Sequence, residues 1–75
     1  MATQRQFKKT AKRIRKRIPR PDKITNWDEG CANRIRFDWL GDTILVDCYN
    51  LNVETAVDGR WCYTNVAMLL EKVLK

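Results

Sequence analysis

Nine cationic side chains, Arg5, Lys8, Lys9, Lys12, Arg13, Arg15, Lys16, Arg17 and Arg20, fall within sixteen consecutive residues that contain no acid. Eight of them lie on a segment that is only about 22 Å long as a helix, where Lys8 and Lys12, Lys9 and Arg13, or Lys12 and Lys16 repel at i, i+4. Such a cluster does not stabilise a helix by itself, so an external anion must neutralise it. Nucleic acid does so most directly, because it presents about one phosphate per 1.7 Å of duplex axis and releases condensed counterions on binding. With Lys and Arg mixed and no Asn or Gln among the charged positions, the pattern suits backbone contacts rather than base reading. These nine residues are the candidate nucleic-acid-binding set, for DNA or RNA.

Other chemistry is poorly supplied. The chain has no His, which removes the side chain best suited to proton transfer near neutral pH. Asp38 and Asp47 could form an acid pair, but Arg36 between them makes a surface ion-pair cluster the simpler expectation. Cys31, Cys48 and Cys62 are odd in number and 17 and 14 residues apart, unlike a disulfide framework or a redox pair. They are expected as reduced thiols, with Cys48 and Cys62 in the core and Cys31 exposed. Without His, three Cys do not complete a zinc site, so no metal is expected. The three glycines stand in separate turn positions and form no phosphate loop. The expectation is a protein without catalytic residues or cofactor.

The elements that must position these residues follow from periodicity. Phe7, Ala11, Ile14 and Ile18 are spaced four, three and four apart, and project within an arc of about 60° on a helix between Gln4 and Ile18. Pro19 and Pro21 stop it. Residues 19–33 read as a connector, with Trp27 and Asp28-Glu29-Gly30 marking a turn held to the body. From Arg34 the period becomes two, and Gly41-Asp42 fits a two-residue hairpin loop. That loop pairs Phe37 with Val46 and Arg36 with Asp47. It makes one face wholly apolar (Ile35, Phe37, Trp39, Ile44, Val46, Cys48) and leaves Arg34, Arg36, Asp38, Leu45, Asp47 and Tyr49 on the other. Asp58-Gly59 signals a second hairpin, Val53–Val57 with Arg60–Tyr63, whose inner face alternation does not choose. After Thr64 or Asn65 as N-cap, Val66, Leu69, Leu70, Val73 and Leu74 follow helical spacing.

The chain thus divides into a basic amphipathic helical arm (1–24), a connector (25–33) and a body of sheet and helix (34–75). Its 75 residues, 44% apolar, suffice for one modest core and exclude a second domain. The total charge of +6 splits into +9 over residues 1–24 and −3 over the rest. The fold class is α+β: a basic N-terminal helix, an antiparallel meander sheet of three to four strands, and a C-terminal helix packed on the sheet. This order is similar in outline to double-stranded-RNA-binding domains and to small DNA-binding modules of integrases. No motif ties the chain to either, and Val66–Lys75 is mostly apolar where the former carry basic residues.

No apolar run reaches the roughly 18 residues that span a bilayer, and the cationic start is followed by no apolar h-region. An intracellular, reducing location is expected. The stripe is too thin, and lacks the Trp or Leu, for firm membrane-surface binding. The lack of Ser and the Lys content weigh against a transit peptide. The remaining rival is protein docking: a small adaptor or inhibitor seating Phe7, Ile14 and Ile18 on a larger assembly, or the arm binding an acidic protein surface, including the acidic body of a second copy.

Overall fold

The computed structural model describes residues 3–27 and 33–75. Seven elements follow one another: α1 (Gln4–Arg17), β1 (Asp22–Trp27), β2 (Arg34–Trp39), β3 (Asp42–Asp47), β4 (Val53–Val57), β5 (Arg60–Cys62) and α2 (Asn65–Leu74). The strands form one antiparallel sheet in the order β1-β2-β3-β4-β5, a meander with the two helices as its cover. The α+β class and both helices match expectation. The sheet has five strands, not three or four.

The fifth strand is β1, which occupies residues read from sequence as the end of the arm and the start of the connector. Its sequence hides the alternation: only Ile24 packs against the core, Lys23 takes a left-handed φ of 53°, and the register slips between Asp22 and Thr25. The turn expected at Asp28-Glu29-Gly30 and the exposed thiol expected at Cys31 lie outside the described residues.

α1 starts on a capping box: the Thr3 hydroxyl accepts from the Gln6 amide at 3.1 Å, and Gln6 Oε1 accepts from the Thr3 amide at 2.9 Å. It ends as expected before Pro19. The Pro19 carbonyl accepts from Trp39 Nε1 at 2.8 Å, which ties the helix exit to the end of β2. Ala11, Ile14 and Ile18 are buried and Phe7 packs beside them, so the apolar stripe rests on the protein's own sheet. The core joins Ile14 and Ile18 to Ile35, Phe37, Ile44, Val46 and Val53 of the sheet and to Ala67, Leu70 and Leu74 of α2.

The apolar face of the β2–β3 hairpin is the one expected, but the register differs by two residues. Phe37 pairs with Ile44, Arg36 with Leu45 and Arg34 with Asp47. The loop is Leu40-Gly41, both residues at positive φ (49° and 83°), rather than Gly41-Asp42. A shift of two preserves parity, which is why the face assignment survives. The second hairpin turns at Asp58-Gly59 as expected, with φ of 51° and 76°, and its inner side is Val53, Thr55 and Cys62. In α2, capped by Thr64, the core takes Ala67, Leu70 and Leu74 and leaves Leu69 and Val73 exposed. Small Ala67, absent from the expected stripe, lets the helix sit on its 67–70–74 line.

The outer sheet face closes over itself. β1 and β5 are the two edges of the five-stranded sheet, with three strands between them. Even so, the indoles of Trp27 and Trp61 reach inward until their centroids are 5.4 Å apart, edge to face. Leu45, between Arg36 and Glu54 in register on this face, is 1% exposed.

Candidate nucleic-acid interface

With the Phe7–Ala11–Ile14–Ile18 stripe against the sheet, geometry sorts the cations of α1. At 100° per residue, Arg5, Lys9, Lys12 and Lys16 project directly away from the core, Lys8 and Arg15 along one flank, and Arg13 and Arg17 along the other. The last flank faces α2. Arg13 donates to the Leu74 carbonyl at 2.7 Å, and Arg17 to the Val73 and Leu74 carbonyls at 3.3 and 3.4 Å. These are terminal carbonyls of α2, where the helix dipole concentrates negative potential.

Two of the nine sequence-predicted residues therefore have work inside the fold. Six others, Arg5, Lys8, Lys9, Lys12, Arg15 and Lys16, are exposed. Among the described residues the ion pairs are Arg34 with Glu54 at 3.5 Å and Lys75 with Glu71 at 3.4 Å, and neither involves α1. The ninth, Arg20, is exposed just beyond the helix at φ 55°. Lys9, Lys12, Arg13, Lys16 and Arg17 border a shallow groove along α1. The residues expected to dock on a partner are placed otherwise: Ile14 and Ile18 are fully buried and Phe7 half-buried against the sheet.

No protein-family model, curated protein or solved structure matches this chain.

The other candidates from sequence are taken apart by the register. Arg34, not Arg36, lies opposite Asp47. Asp38 is four residues from Arg34 along β2, so the two acids stand about 13 Å apart and do not form a pair. Asp38 accepts from the Thr43 hydroxyl at 3.3 Å, and Asp47 Oδ1 accepts from the Tyr49 and Asn50 amides at 2.8 and 3.4 Å. Among the described residues no group of three His, Cys, Asp or Glu is placed to hold a metal ion. No helix there is long and apolar enough to cross a membrane. Burial pushes the Cys48 thiol above its ordinary range against the opposing effect of Thr10, with nearby Asp47 adding to the rise. That shift disfavours the nucleophilic thiolate. Elsewhere the Tyr63 hydroxyl donates to Glu71 at 2.6 Å, which lowers the carboxyl and raises the phenol.

Arg34, Arg36 and Tyr49, expected together on one sheet face, are not brought into one cluster. Arg34 meets Glu54, Arg36 lies 5.8 Å from the Trp27 ring centre, and Tyr49 stands elsewhere. β3 ends at Asp47, so alternation no longer places Tyr49, which lines a cleft against α1 with Gln6, Lys9, Thr10, Arg13 and Cys48. Sequence reasoning missed this cleft; the Thr3–Gln6 capping spacing was its one readable signal, fixing where α1 begins.

Proposed function

We propose that the protein is a non-catalytic nucleic-acid-binding protein that meets the phosphate backbone of DNA or RNA through the outward side of α1, with weak sequence preference. One observation carries this reading: six exposed cations of α1 have no carboxylate partner among the described residues, while the apolar side of the same helix is fixed to the sheet. A rigidly mounted cationic ridge keeps its like charges close together, and phosphate neutralises them with counterion release. Arg13, Arg17 and Arg20 add positive potential at the flank and end of the ridge.

Fluorescence anisotropy with labelled oligonucleotides over a salt series tests it. About six phosphate contacts give a slope of log affinity against log salt near −5 for duplex. Changing Arg5, Lys9, Lys12 and Lys16 together to Gln should weaken binding to every sequence and reduce the slope to about −2. Unchanged affinity in that variant would overturn the proposal.

A further inference from the structure

Where α1 passes the turn between β3 and β4, the surface opens into a cleft of about 350 Å³. That is near the lower end of the range for small-ligand sites, about 300–1,000 Å³. One wall is cationic, Lys9 and Arg13. The facing residues are Tyr49 and Leu51, and Thr10 and Cys48 also line the cleft. Lys9 and Arg13 also border the groove that continues along α1 past Lys12 and Lys16, so the cleft opens onto the ridge proposed to hold phosphates.

Tyr49 is 71% exposed, while its backbone is firmly held. Its amide and that of Asn50 bond to Asp47 Oδ1, the Leu51 amide to the Asp47 carbonyl at 2.9 Å, and the Cys48 amide to the Asn33 carbonyl at 2.8 Å. An aromatic ring presented to solvent from a turn whose backbone is fixed is open for a base to stack on. Across from it, Gln6 uses its carbonyl oxygen in the capping box, which leaves both amide N–H groups for an acceptor on a ligand.

We infer that this cleft takes one unstacked nucleotide of a single strand, its base against Tyr49 and its phosphate on Lys9 and Arg13. Paired bases keep their faces inside the stack, where Tyr49 cannot reach them; an unpaired strand offers them at no unpairing cost. The inference rests on α1 as a phosphate-binding surface and adds the substrate class: single strand in preference to duplex.

The test compares oligothymidylate, oligouridylate and a duplex of equal length on the full chain at one fixed salt concentration. Tyr49→Ala should lower affinity for the single strands about tenfold, within the range of roughly 5- to 150-fold expected for one stacked base. It should leave duplex affinity unchanged, and Tyr49→Trp should restore single-strand binding. The position is exposed, so both variants should fold, which circular dichroism checks. Wild-type affinity for single strands in Tyr49→Ala, while the fourfold α1 variant loses binding to all three probes, would overturn the cleft and leave the phosphate ridge standing. Wild-type affinity in the fourfold variant would remove the ridge itself.

Discussion

Arg13 is the cation of α1 that the fold itself uses most. Its guanidinium donates at 2.7 Å to the Leu74 carbonyl, one of the α2 carbonyls with no partner inside the helix. A hydrogen bond to a charged group in a half-buried place contributes about 1.5–3 kcal/mol, and a cation at a helix C-terminus is favoured by the dipole as well. Arg13→Gln should therefore lower stability by about 1–2 kcal/mol, seen as a lower urea midpoint, whereas Lys12→Gln one position away, which relieves two like-charge pairs, should leave stability unchanged or raise it by up to about 1 kcal/mol. Equal midpoints for the two variants would mean that the bond carries no weight. Composition and helical spacing reveal that Arg13 is positive and off the apolar stripe. They do not reveal its use, because Leu74 is 61 residues away and only the packing of α1 beside α2 brings the two together.

At the scale of elements, what was legible depended on how strongly each segment repeats. The α1 stripe, the apolar face of β2 and β3 and the Asp58-Gly59 turn all carry strong local signals, and each was read correctly. β1 carries a single core-facing apolar residue between a bulge and a polar neighbour, so its pairing with β2 is imposed by the sheet rather than announced by its sequence. The first hairpin misleads for a different reason. Leu is a poor left-handed residue, so a glycine-first loop at Gly41-Asp42 looked the better choice, yet the observed loop puts Leu40 at φ 49°. That strain makes the turn improvable. Leu40 is 79% exposed and gives up almost no burial when replaced. Leu40→Asn supplies the Asn-Gly pair that this turn type favours and should stabilise by about 0.5–1 kcal/mol, raising Tm by roughly 2–8 °C. A fall in Tm would show that the strain inferred at Leu40 is absent.

Across the whole molecule, charge is segregated by element: α1 contains no acid, while the carboxylates Glu54 and Glu71 are engaged with Arg34, Tyr63 and Lys75, all outside α1. The sum of charges was readable at a glance; that six of them share the solvent side of a docked helix was not, since it required knowing which side the sheet covers. The segregation makes stability and binding respond to salt with opposite signs. Within α1, five like-charge pairs at i, i+4 (Arg5 and Lys9, Lys8 and Lys12, Lys9 and Arg13, Lys12 and Lys16, Arg13 and Arg17) cost about 0.2–0.5 kcal/mol each at low ionic strength. Their combined cost of about 1–2.5 kcal/mol at a separation of about 6 Å is screened by roughly two-fifths as the screening length shrinks from about 30 Å at 0.01 M to about 8 Å at 0.15 M. The free protein should therefore gain roughly 2–8 °C in Tm over that range, while its affinity for oligonucleotides falls steeply because counterions released into a saltier solution gain less entropy. At low salt a bound oligonucleotide should raise Tm further by mass action, and the increment should vanish as salt rises. A thermal melt at each salt concentration, with and without oligonucleotide, checks both halves. A Tm that falls as salt is added to the free protein would mean that the cations of α1 are matched by carboxylates of the same fold, and a ridge already neutralised from within has no call on phosphate.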